Sequence, residues 1–304
     1  MKIKTYIKRT CHIISLILIG YCLTTCNSSN DNTAKTSKTQ EQFSNDKEKM
    51  NYFKYRFPSS DELFYYIEEE ELVFNEELMN STDNTRLYLT KNNQALGLGV
   101  YMSDLSYISI TENWENVNKC LMAIYKLSDK LRLLNALDDN SIERIESNIQ
   151  NPDSLIDIAD KFNDNILDYL IETGNEKMYG IIAFGSLIEY FHIKLNVTDF
   201  SIEENSFNES VSDHKFIIQN LTDYLSFYAE GDNKVEVIIS SLNSYKEYFS
   251  FTSENEDRET EIEKLDDGTL IIKGGNENII PKSDIDSLKL LTNTIRSRII
   301  NGEF

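Results

Sequence analysis

Gln94-Ala95-Leu96-Gly97-Leu98-Gly99-Val100-Tyr101-Met102-Ser103-Asp104-Leu105-Ser106-Tyr107-Ile108-Ser109-Ile110 carries a single formal charge, Asp104. A second stretch, Gly180-Ile181-Ile182-Ala183-Phe184-Gly185-Ser186-Leu187-Ile188-Glu189-Tyr190-Phe191-His192-Ile193, likewise carries only Glu189. A helix that is apolar on every side has no face for water, so it belongs in the middle of a protein. Neither stretch holds an uninterrupted apolar run near 18 residues, so neither reads as a membrane span. The two are expected to form the centre of a helical body.

The flanking sequence has the 3.6-residue period of helices that cover such a centre. Ser59-Ser60-Asp61-Glu62 is a capping box ahead of Leu63, Phe64 and Ile67. Trp114, Val117, Leu121, Ile124, Ser128 and Leu131 recur at three and four. Asn151-Pro152-Asp153 reads as an N-cap with proline at the first helical position. From it run Leu155, Ile158, Phe162, Ile166, Tyr169 and Leu170 to a C-cap at Gly174. Phe216, Leu221, Tyr224, Leu225 and Tyr228 end at Gly231. Val235, Ile238, Leu242, Tyr245 and Phe249 follow, and Ile285, Leu288, Leu291 and Ile295 mark the last helix. Residues 260–273 alternate around Asp267-Gly268, the signature of a small β-hairpin. The polar stretch 197–212 is a candidate subdomain joint within a 51–304 helical domain. Three prolines and eleven glycines in 304 residues agree with long helices. The fold expected is all-α: an antiparallel multi-helix bundle or array with two central apolar helices and one hairpin near the C-terminus. At an offset of 83, Leu98, Tyr101, Ser103, Leu105 and Tyr107 align with Ile181, Phe184, Ser186, Ile188 and Tyr190. An internal duplication leaves such a pattern, and so does helical periodicity alone.

The N-terminus reads as an address. Lys2, Lys4, Lys8 and Arg9 precede the apolar Ile13-Ile14-Ser15-Leu16-Ile17-Leu18-Ile19, the charged and apolar regions of a secretory signal. Leu23-Thr24-Thr25-Cys26 then has the form of a lipobox, which predicts cleavage after residue 25 and acylation of Cys26. The large Tyr21 disfavours Cys22 as the modified residue. Residues 26–50 are polar and read as a flexible tether reaching roughly 25–30 Å. Of four cysteines, Cys11 and Cys22 leave with the signal and Cys26 is acylated. Cys120 then has no partner within the chain for a disulfide, and its place in a helical pattern predicts a buried, inert thiol.

The formal charge is −21, and −25 without residues 1–25, which hold four bases and no acid. Such a polyanion repels phosphate backbones, so no nucleic-acid partner is expected. No metal, cofactor or catalytic residue is expected either. Glu189-Tyr190-Phe191-His192 has the E-x-x-H spacing of di-iron bundles, but the second motif such a site needs is missing, since Val211 stands three before His214. Ser212-Asp213-His214-Lys215 is an S-x-x-K without its companion motifs and reads as helix-capping chemistry. The candidate site is instead a buried polar one. Asp104 and Glu189, each the sole charge in a buried helix, demand internal partners. His192, three residues along the same face, is the nearest candidate for Glu189. A Tyr hydroxyl or neighbouring backbone N–H groups are the candidates for Asp104. Tyr101, Tyr107 and Tyr190 stand nearby as the walls a ligand pocket would have.

Ala95 to Tyr107 resembles a group of helical lipoproteins widespread in Bacteroidota. The Asn151-Pro152-Asp153-Ser154-Leu155 helix start and Phe184-Gly185-Ser186-Leu187-Ile188-Glu189 match as well, and the likeness spans roughly 57–300. Relatives carry a Trp where this chain has Leu187 and more glycine around it, so the chain is a divergent member. The resemblance implies a helical lipoprotein and no assigned activity. In that group, surface export follows an acidic run just after the lipidated cysteine. Asn27-Ser28-Ser29-Asn30 before a single Asp31 implies an outer-membrane anchor on the periplasmic side. The expected function is a lipid-anchored cell-envelope scaffold or partner-binding module. The alternative is a small-ligand or glycan-binding lipoprotein feeding a transporter.

Overall fold

Thr90 starts the first long helix, its hydroxyl oxygen accepting the Asn93 N–H at 3.1 Å. This helix, α1 (Lys91–Ile110), buries every residue from Ala95 to Ser109. The computed structural model describes residues 63–64, 74–136, 147, 161, 165–201, 207, 210–249, 261–264, 270–273 and 280–304. The chain divides into Met1–Tyr52 and Phe53–Phe304, and all of these residues belong to the second unit. The leader, Cys26, the tether, the 59–62 capping box and the 151–153 helix start lie outside them.

The second apolar stretch is α3 (Glu176–Val197), buried from Tyr179 to Phe191 and again at Ile193–Leu195. Helix α1 packs on α3 more closely than side chains allow, because glycines stand at the contact. A Cβ at Gly99 would collide with the Ile182 carbonyl, and one at Gly185 with the Leu96 carbonyl. The Ser103 hydroxyl donates to the Ser186 carbonyl at 2.9 Å and lies 2.7 Å from the Ser186 hydroxyl. Gly99 meets Ile182 and Ser103 meets Ser186, so contacts advance by four residues in each helix. The central pair therefore runs in the same sense where it touches, which corrects the antiparallel arrangement expected for it. Both contacts fall on the offset-83 alignment.

Around this pair lie α2 (Trp114–Leu131), α4 (Val211–Ser226), α5 (Asn233–Phe249) and α6 (Lys282–Ile300). Helix α2 flanks α1 and α6 packs mainly on α3, while α4 and α5 pack together. Helix α2 turns Val117, Cys120, Ile124, Leu127 and Leu131 inward. It ends where Arg132 takes the left-handed conformation (φ 62°). Gly174 and Gly231 are left-handed at φ 67° and 78°, at the helix stops expected for them. Helix α5 buries Val235, Ile238, Leu242, Tyr245 and Phe249, the stripe read from the sequence. In α4 the inward stripe is His214, Ile217, Ile218, Leu221 and Leu225, and Phe216 points out at 61% exposure. Ser210 rather than Ser212 holds the N-cap position of α4.

Among the described residues the packed body is helical. The hairpin expected near the C-terminus is not shown, because its turn at Asp267-Gly268 lies outside the described residues. What is described are two four-residue strands, 261–264 and 270–273, with Glu261 opposite Lys273 and Lys264 opposite Leu270. Residues 197–212, the candidate joint, span the connection from α3 to α4 and are described only in part. No described helix is long and apolar enough to cross a membrane.

Candidate functional site

The glycine-mediated contact of α1 and α3 brings their two charges together. Asp104 and Glu189 follow the Ser103–Ser186 contact by one and three residues, and both are fully buried. Two ionised carboxylates without a cation would be untenable in so dry a place. The cation comes from α6. Arg296 Nε donates to Glu189 Oε2 and Nη2 to Oε1, both at 2.6 Å. Nη2 also donates to the Leu78 carbonyl at 2.8 Å. This is a two-pronged, charge-assisted pair of the kind only a guanidinium makes. Burial works against the Arg296 charge, but Glu189 outweighs it and holds the group above its usual range.

Asp104 is satisfied differently. Its Oδ2 accepts the Asn80 backbone N–H at 3.1 Å, while Oδ1 meets no donor. The Glu189 carboxyl is close enough to act on the Asp104 carboxyl electrostatically. Burial first, and the Glu189 charge second, push the Asp104 carboxyl well above the usual carboxylate range. The cluster thus sets two buried acids, Asp104 and Glu189, against one guanidinium.

The segment 74–90 lies over this cluster and ties to it through the tyrosines. Tyr101 donates to the Ser81 carbonyl at 2.7 Å. The Tyr107 hydroxyl accepts the Asn75 N–H at 3.0 Å, and its ring stacks with Phe74. Asn80 donates from Nδ2 to the Tyr88 hydroxyl at 2.9 Å. Burial pushes the Tyr88 hydroxyl up to about 12 and raises Tyr101 further, so both stay protonated. From α2, Cys120 is buried as expected and points its thiol at the Tyr101 carbonyl, 3.2 Å away.

Of the six residues named from sequence, Asp104 and Glu189 meet, and Tyr101 lines the same cluster. His192 does not serve Glu189. Its Nδ1 lies 2.9 Å from Asn293 Oδ1 instead, and burial lowers its pKa, favouring the neutral ring. A neutral imidazole on the same helix cannot compete with a guanidinium fork approaching from across the core. Tyr107, on α1, engages the overlying segment at Asn75 and Phe74 instead. Tyr190 faces a separate aromatic cluster, its hydroxyl 2.8 Å from His214 Nε2, with Phe191, Phe207 and Phe249 against that imidazole. Burial, then Lys194, push His214 down to about 3. Sequence reasoning missed Arg296, Asn80 and Tyr88. Arg296 had left a trace: it falls on the buried stripe of α6 with Leu288, Thr292 and Ile299, a cation where an apolar residue was due. Among the described residues no group of three His, Cys, Asp or Glu is placed to hold a metal. No known protein family, no curated protein and no solved structure matches this chain.

Proposed function

We propose that this chain is a lipid-anchored helical protein of the cell envelope, acting as a scaffold or partner-binding module from the periplasmic side of the outer membrane. The observation that carries the anchoring is Leu23-Thr24-Thr25-Cys26 directly behind a basic and apolar leader. The resemblance to Bacteroidota lipoproteins belongs to the same reading. A structural role for the body is supported by where its acids lie. Asp104 gives one oxygen to Asn80, Glu189 gives both of its oxygens to Arg296, and neither acid is exposed to solvent. Partner binding is supported by Met122 and Tyr125, 65% and 42% exposed one turn apart on the outer face of α2. The hairpin at Asp267-Gly268 stays part of the proposal as a small appendage to the helical body.

The ligand-binding alternative called for a pocket walled by Tyr101, Tyr107 and Tyr190. Their hydroxyls are engaged at three different places, Ser81, Asn75 and His214, and no observation favours that reading. The test places a photo-crosslinking residue at Met122 in intact cells and, as control, at exposed Glu236. A discrete protein adduct at Met122, lost with Tyr125→Asp, is expected. Equal labelling at both positions, or none at Met122, counts against a partner-binding module.

A further inference from the structure

We propose that Asp104 holds a proton at neutral pH and gives it as a hydrogen bond to the Glu189 carboxylate, so that the folded state loses stability as pH rises. This goes beyond the scaffold reading and does not depend on it.

The geometry leaves little choice of protonation. Glu189 receives both prongs of Arg296, so the ionised acid is Glu189. Asp104 has one donor, the Asn80 N–H, and an oxygen that meets none. It adjoins a carboxylate that is already charged. With a proton, the two carboxyls become donor and acceptor and the buried cluster is neutral. Without it, two anions face one cation in a place water does not reach, and the excess charge has no partner.

The other groups around Asp104 give no competing source of charge. Tyr88 from the overlying segment and Tyr101 from α1 stay protonated at neutral pH. The Cys120 thiol on α2 is raised by burial and then by these same acids. From α3, His192 is driven toward its neutral form. Arg296 on α6 is the cation that acts on Asp104, and its pull is smaller than the push of burial and of Glu189.

The linkage has a definite sign. A carboxyl raised in the folded state is protonated there while its unfolded counterpart, near pH 4, is not. The folded chain then binds one proton more, and its stability falls as pH rises toward the folded value. Asp104→Asn replaces the neutral acid by a neutral amide that still accepts from Asn80 and donates to Glu189. Glu189→Gln makes the same change of atoms but leaves Arg296 without its anion.

The experiment measures unfolding by urea from about pH 5 to pH 8 for the mature chain carrying Cys26→Ala, alone and with each substitution. Relative to Asp104→Asn, the unsubstituted chain should lose roughly tenfold in its folding equilibrium constant per pH unit across at least part of that range. Glu189→Gln should be far less stable throughout. A pH-independent ratio between the unsubstituted chain and Asp104→Asn, or equal damage from Asp104→Asn and Glu189→Gln, overturns the assignment. Should Glu189→Gln fail to fold, the pH dependence of the Asp104→Asn ratio alone decides.

Discussion

Arg296→Leu removes the cation on which the buried cluster depends. Two hydrogen bonds of 2.6 Å to the Glu189 carboxylate go with it, and the Leu78 carbonyl loses its donor. Glu189 is fully buried, so no water replaces the guanidinium. Breaking a buried pair from one side costs about 3–5 kcal/mol, mostly the penalty of the charge left behind. That is a large share of the roughly 5–15 kcal/mol by which a domain is stable. Replacing both partners by apolar residues, Glu189→Leu with Arg296→Leu, removes the orphaned charge together with its partner. Such a double replacement in a buried site is often neutral or stabilising. The double variant should therefore recover most of the loss, giving a coupling energy of at least about 2 kcal/mol. Urea unfolding followed by far-ultraviolet circular dichroism measures all four corners of the cycle. A cost below about 1 kcal/mol for Arg296→Leu, or a double variant as damaged as the sum of its singles, would refute the argument that an uncompensated charge is what hurts.

Other outcomes follow from neighbouring parts of the fold. Gly99→Ala should cost at least about 1–3 kcal/mol, because its Cβ meets the Ile182 backbone rather than a flexible side chain; a fall in melting temperature checks it. His214 has a folded value near 3 against about 6.5 unfolded, so the unfolded state takes up the proton first as pH falls. Stability tied to it is complete above about pH 6.5 and declines by about 1.4 kcal/mol per unit below that; His214→Gln should remove this slope in acid unfolding curves. Cys26→Ala should free the protein from membrane fractions, with a mass lacking acyl chains; unchanged fractionation and mass would end the lipobox reading.

How much of this was legible in the sequence depends on how many neighbours a residue needs to explain itself. The central helices were legible because an apolar helix on all sides has one destination, and the α5 stripe because a period of 3.6 is local. Cys120 could be placed on an inward face for the same reason. The same-sense contact of α1 with α3 was not legible, since it arises from glycines pressed against a backbone distant in sequence. Nor was the partner of Glu189. Periodicity sees His192 one turn away but not Arg296, which is 107 residues on in the chain. The three tyrosines were grouped because they lie on the two apolar helices beside Asp104 or Glu189, and those helices point them at Ser81, Asn75 and His214. In α2 the apolar period is real, yet Cys120 and Leu127 face inward while Leu121 sits at the edge.

The central claim is that one sealed, neutral cluster of Asp104, Glu189 and Arg296 locks α1, α3 and α6 into a single cooperative body. Native-state hydrogen exchange of the backbone amides flanking these three residues tests it most directly. The account predicts that amides near Asp104, Glu189 and Arg296 share one opening free energy, equal to that of global unfolding. Exchange of the α6 amides through a separate, lower-energy opening, with α1 and α3 still protected, would contradict it.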